Sequence, residues 1–147
     1  MIKTILLVED NESDEKLTIL AFKKSNIENE VAVVRDGAEA LDYLFGVAPE
    51  GPTKELPTLV LLDLNLPRIS GLEVLRRLRA EERTRLLPIV ILTASKEEED
   101  IIRGYSLGAN AYVRKPVEFG PFVEAARTLG LFWLLLNEPA PTRDRAR

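Results

Sequence analysis

Five short apolar runs, each followed by a stretch with helical spacing, constrain the fold of this chain more than any other feature. The runs are Thr4–Val8, Val31–Arg35, Thr58–Leu62, Ile89–Leu92 and a weaker Ala111–Val113. Leu59-Val60-Leu61-Leu62 has no polar member. That pattern suits a strand covered on both faces, as in a parallel sheet. The helical stretches are Asp14–Ser25, Gly37–Phe45, Leu72–Ala80, Glu97–Leu107 and a last one from Gly120-Pro121 to about Asn137. Leu17, Leu20 and Ala21 share a face of the first stretch, and Ala40, Leu41 and Leu44 a face of the second. Leu72, Leu75 and Leu78 line the third, with Arg76, Arg77 and Arg79 opposite. Ser70-Gly71-Leu72-Glu73 has the pattern of a capping box, Asp36-Gly37 reads as a helix start, and Ser95 is the expected N-cap of the fourth helix. Strict βα alternation predicts an α/β fold: a five-stranded parallel sheet with helices on both faces. The flavodoxin-like strand order 2-1-3-4-5 fits best.

Residues 2–137 read as one domain with an extended last helix. Gly46–Leu56 is a long loop, and residues 138–147, with Pro139, Pro141 and three Arg, read as a flexible tail.

Ligands in such folds bind at the C-terminal ends of the strands, near the switch point in strand order. Glu9-Asp10 follows the first run, Asp63 ends the third, Thr93-Ala94-Ser95 follows the fourth and Lys115-Pro116 the fifth. Carboxylates, a hydroxyl and an amine would therefore meet on one rim. Clustered anions repel, by ~4 kcal/mol per pair at ~4 Å and an effective dielectric of 20, so they require a proton or a cation. Here composition narrows the chemistry. The chain has 147 residues, a net charge of −4, no His and no Cys. Thiolate zinc sites, cysteine nucleophiles and His-dependent triads are excluded. An oxygen-only ligand set points to Mg²⁺. An aspartate beside Mg²⁺ can attack phosphorus, with Lys115 and the Thr93 hydroxyl holding phosphoryl oxygens. The acidic charge argues against nucleic acid as a partner. With no signal peptide and no ~20-residue apolar window, the chain is expected to be cytoplasmic with no membrane partner.

Val8-Glu9-Asp10, Leu62-Asp63-Leu64-Asn65-Leu66-Pro67 followed by Gly71, Leu92-Thr93-Ala94, and Ala111-Tyr112-Val113-Arg114-Lys115-Pro116 together resemble the receiver domain of two-component response regulators (CheY-like), over about Ile2 to Leu129. The resemblance implies that Asp63 is the phosphoacceptor. It implies that Glu9, Asp10, Asp63 and the backbone carbonyl of Asn65 hold Mg²⁺. Thr93, the Ala94 N–H and Lys115 would hold the phosphoryl group, Thr93 and Tyr112 would form the switch, and the Lys115–Pro116 bond would be cis. A phosphoacceptor, not an enzyme with turnover, is implied. Since the chain has no His, the phosphoryl group would come from a partner histidine kinase. No output domain fits in the remaining residues, so a single-domain regulator is expected.

The last helix is apolar on too many sides. Phe122, Ala125, Ala126, Leu129, Phe132 or Trp133, and Leu136 make one stripe, leaving Leu131, Leu134 and Leu135 on other faces. An uncovered patch of this kind suggests a homodimer. The Phe132-Trp133-Leu134-Leu135-Leu136-Asn137-Glu138-Pro139 ending and the long loop resemble the stand-alone regulators that partner bacterial phytochrome histidine kinases. A non-phytochrome kinase or a phosphorelay position is the alternative for the signal. A haloacid-dehalogenase-like phosphatase would need an Asp where Asn65 stands. A nucleotide or flavin binder would need a Gly-rich or hydroxyl-rich loop in place of Glu9-Asp10-Asn11-Glu12. A phosphorylation-independent adaptor would leave the rim unused.

Overall fold

The computed structural model describes residues 4–27, 29–46, 55–116 and 118–141. The centre of the long loop, residues 47–54, and the tail from residue 142 onward lie outside them. The strands are β1 (Thr4–Val8), β2 (Glu30–Val34), β3 (Leu59–Leu62), β4 (Ile89–Thr93) and β5 (Ala111–Arg114). They alternate with helices α1 (Glu12–Lys24), α2 (Gly37–Phe45), α3 (Gly71–Ala80), α4 (Glu98–Ser106) and α5 (Phe119–Gly130). All four strand pairs are parallel, and the sheet order is β2-β1-β3-β4-β5, as the alternation predicts.

The side chains of each strand divide between two cores, because successive residues of a strand face opposite sides. Leu6, Val8, Val60, Leu62, Ile89 and Ile91 meet α2 and α3 through Ala40, Leu44, Val74, Leu75 and Leu78. Ile5, Leu7, Leu59, Leu61, Val90 and Leu92 meet α1 and α5 through Ala21, Phe22, Phe122, Ala126 and Leu129. Both faces are thus covered, which explains why β3 and β4 have no exposed member.

Local chemistry starts the helices. Asn11, Asp36 and Ser70 accept backbone N–H bonds from Asp14, Glu39 and Glu73 and so cap α1, α2 and α3. The expected capping box at Ser70 is only half formed, because the Glu73 carboxylate turns to Arg76 and Arg77. Ser95 is not the N-cap of α4: that position is Glu97, without a side-chain bond. The Ser95 hydroxyl instead donates to Asp100 at 2.6 Å.

Two expectations on helix faces are corrected. Leu20 is 45% exposed, and Thr18 with Ala21 and Phe22 forms the inner face of α1. Arg79 does not point to solvent with Arg76 and Arg77. Its guanidinium donates to the carbonyls of Gly108, Thr84 and Leu87 and to Asn110 Oδ1. A five-donor planar group satisfies several chain ends at once, which a sequence pattern scores only as a surface charge.

The end of the chain differs most from expectation. After Gly130 the helix widens into a π-helix over Leu131–Leu136, with the Asn137 N–H donating to the Phe132 carbonyl at i→i+5. The wider turn places residue i+5 over residue i. Leu134 therefore follows Leu129 into the core, at 2% exposed, while Leu136 turns out at 72%. Simple α-periodicity assigns these two residues the opposite way. Leu131, Phe132 and Leu135 remain exposed. The combined helix Phe119–Leu136 has 18 residues at a mean hydropathy of 1.3, enough by length and composition to cross a membrane. Phe122, Ala126, Leu129 and Leu134 nevertheless pack into the domain core.

Candidate functional site

The ladder of the sheet continues past the strand ends and delivers the site residues to one rim. The Glu9 N–H donates to Val34, that of Asp63 to Val8 and that of Lys115 to Thr93. Between β1 and β3 the chain order reverses, and Asp63 lies on that crevice. Behind it, Gly71 begins α3 so close that a Cβ would stand 2.2 Å from the Asp63 carbonyl oxygen. A side chain there would push α3 away from the strand end that carries Asp63.

Glu9 and Asp63 are buried, whereas Asp10 is exposed. One carboxylate oxygen from each lies within 4.8 Å of the other two. Lys115 Nζ stands 2.5 Å from Glu9 Oε1 and 2.9 Å from both Asp63 Oδ2 and Asp14 Oδ2. Its three N–H donors thus match three acceptors. Asp63 Oδ1 accepts from the Thr93 hydroxyl at 2.7 Å and from the Asn65 N–H at 3.2 Å.

Burial lifts Glu9 to about 7, against the opposing hydrogen bond from Lys115 and with the Asp63 charge adding to the rise. Burial also pushes Asp63 upward, but the Lys115 ammonium and the Thr93 hydroxyl outweigh it and leave its carboxyl below the ordinary value. Lys115 is held well above its usual range: desolvation disfavours its charge, and the bonds to Glu9, Asp63 and Asp14 overcome that. Of the two buried carboxyls, Asp63 is the one whose charged form its neighbours favour. The donor set fits a hard divalent cation, being all oxygen, convergent and open to solvent through Asp10.

Glu9, Asp10, Asp63, Thr93 and Lys115 are thus brought together on one rim. Asn65 and Ala94 are exposed next to Asp63 and Thr93 on the same rim. Tyr112 is half-buried, and its hydroxyl donates to the Ser95 carbonyl at 2.9 Å, which ties β5 to the loop after Thr93. The Lys115–Pro116 bond is trans, since no peptide bond among the described residues is cis. The trans form of an X–Pro bond is favoured by ~0.5–1 kcal/mol, and it does not prevent Lys115 from reaching all three carboxylates. Of the interface candidates, Leu131 and Leu135 are exposed and Leu134 is buried. Sequence reasoning missed Asp14. It stands in the first turn of α1, where an acidic residue reads equally as a partner of the helix dipole.

The model of the response regulator receiver domain matches residues 5–127. This chain is a response regulator receiver. The methanogenesis regulator FilR2 of Methanothrix harundinacea is 40% identical over 138 residues, covering 93% of this chain and 88% of FilR2. Response regulator Rcp1 of Synechocystis sp. is 36% identical over 132 residues, 90% of this chain and 89% of Rcp1. Its Mn²⁺-bound form has a TM-score of 0.85 to this receiver, covering 95% of this chain and 99% of that one. The bacteriophytochrome response regulator RtBRR is 50% identical, covers 99% of this chain and 89% of its own, and has a TM-score of 0.75. The carboxylate group of this receiver is of the divalent-cation type, consistent with the metal in Rcp1.

Proposed function

We propose that Asp63 accepts a phosphoryl group from the phosphohistidine of a partner kinase, with Mg²⁺ held by Glu9, Asp10, Asp63 and the Asn65 carbonyl. The observation that carries this reading is the environment of Asp63: a buried carboxylate gripped by Lys115 and Thr93, which favour its charged form, beside two further carboxylates. An Asp63 oxygen forms the new bond to phosphorus as the P–N bond breaks and its electron pair returns to the imidazole. Bound Mg²⁺ would draw charge from the transferring group. Lys115 supplies a fixed cation for a second oxygen, and the Thr93 O–H and Ala94 N–H serve a third. Once Thr93 leaves Asp63 for the phosphoryl group, the Ser95 loop and Tyr112, joined to it through the Ser95 carbonyl, follow. The test is labelling by acetyl phosphate with and without Mg²⁺. A stable stoichiometric phosphoprotein supports the reading, and turnover of phosphate esters would favour a phosphatase.

The partner we infer is a bacterial phytochrome kinase. The support is RtBRR, at 50% identity over nearly all of this chain, together with the apolar C-terminal segment. The receiver domain is read as 2–137. FilR2, a methanogenesis regulatory protein, is 40% identical, so the kinase is to be tested by phosphotransfer from purified phytochrome and non-phytochrome kinases side by side.

The last helix is read as a homodimer surface, now centred on Leu131, Phe132, Leu135 and Leu136. Leu134→Ala is expected to cost about 2–5 kcal/mol of stability in urea unfolding, as for any large-to-small change in a core. Leu135→Ala should leave stability within about 0.5 kcal/mol but raise the dimer dissociation constant seen in sedimentation. Equal stability effects at the two positions would contradict the π-helical register.

A further inference from the structure

Lys115 has three carboxylate partners, and only two of them, Glu9 and Asp63, belong to the cation group. The third, Asp14, lies in the first turn of α1 with its side chain 33% exposed. Backbone bonds fix it there: its N–H donates to Asn11 Oδ1 and its carbonyl accepts from the Thr18 hydroxyl. A bound cation or phosphoryl group competes electrostatically with Lys115 for the charge of Glu9 and Asp63. Asp14 is the partner that this competition leaves untouched.

We propose that Asp14 is a positioning residue that holds the Lys115 ammonium when Glu9 and Asp63 turn to the cation, so that the lysine remains on the rim without opposing metal binding. The inference rests on the phosphoacceptor reading above, because it assigns Glu9 and Asp63 to the cation. Its physical content is a coupling between residues 14 and 115. Without Asp14 the ammonium has only the two metal-side carboxylates left, and it competes for them with its full charge.

The test is a double-mutant cycle read as the Mg²⁺ dissociation constant by calorimetry on the full chain. Asp14→Asn is expected to weaken Mg²⁺ binding about five- to tenfold in the native background but less than about twofold in Lys115→Met, a difference of the size seen for residues in direct contact. Asp14→Glu should retain most of the native affinity. Thermal melts verify that each variant is folded, and Asp14→Ala, which keeps the backbone bonds of that turn, replaces Asp14→Asn should the latter fail. Equal weakening in both backgrounds would mean that Asp14 acts as a distant negative charge, and no weakening in either would mean that it acts on nothing here; both overturn the proposal. Absence of Mg²⁺ binding by the unaltered protein would overturn the metal-site reading itself, and this one with it.

Discussion

Asp63→Asn is expected to abolish Mg²⁺-dependent labelling by acetyl phosphate, a loss of at least about a thousandfold on the scale of removing a nucleophile. The amide keeps the shape of the side chain and an acceptor oxygen for Thr93, which stands 2.7 Å away. It lacks the anionic oxygen that attacks phosphorus. Two effects on stability oppose each other. The lowered pKa of Asp63 marks its charge as stabilising, whereas its loss frees Glu9 from repulsion and leaves Lys115 the Glu9 and Asp14 carboxylates. A loss of labelling with a melting temperature near the native one therefore separates chemistry from unfolding. Labelling that persists in Asp63→Asn would place the acceptor elsewhere and sink the assignment.

The second large effect is expected at Lys115. Its side chain is 7% exposed and touches Glu9 and Asp63, themselves 2% and 8% exposed. Lys115→Met strands those carboxylates without a counter-charge, a change that costs about 3 kcal/mol for a buried pair. The cost depends on pH with a definite sign. Glu9 is raised to about 7 even beside the lysine, and removing the cation raises it further. A carboxyl whose folded pKa exceeds its unfolded value of 4.5 binds its proton more tightly in the folded state. Stability tied to that proton is full below pH 4.5 and is lost as the pH climbs through the folded pKa. Urea unfolding should show the variant far weaker than the native protein at pH 8 and close to it at pH 5. Mg²⁺, which binds only the folded form, should stabilise the variant more than the native protein, because no ammonium competes for Glu9 and Asp63. A deficit independent of pH and Mg²⁺ would mean that Lys115 contributes packing alone.

Much of the site is legible in the sequence, for a physical reason. In a parallel sheet ligand-facing side chains gather at the C-terminal ends of the strands, and strands buried on both faces announce themselves as unbroken apolar runs. Locating Leu59–Leu62 locates Asp63, and locating Ile89–Leu92 locates Thr93. The caps at Asp36 and Ser70 are equally local, since each bonds a backbone N–H only three residues away. Asp14 and Arg79 were not legible. Their partners lie far along the chain, at Lys115 for Asp14 and at Gly108 and Asn110 for Arg79, and a charged residue on a helix looks the same whether it meets water or a distant carbonyl. The Ser95 hydroxyl was misread because a partner five residues on, Asp100, competes with the backbone cap.

The sequence by itself determined the alternation, the parallel sheet it implies, and which residue types stand at the strand ends. It also determined that the rim is acidic, with oxygen ligands and no histidine. Tertiary structure decided how one ammonium is shared among three carboxylates, which of the two buried carboxyls has its charged form favoured, and which leucine of the last helix is core. Those outcomes depend on distances of a few ångströms between segments far apart in sequence. The last depends also on a widened helical turn that shifts Leu134 inward and Leu136 outward. Periodicity assumes a fixed turn and cannot register such a shift; packing against the sheet sets it.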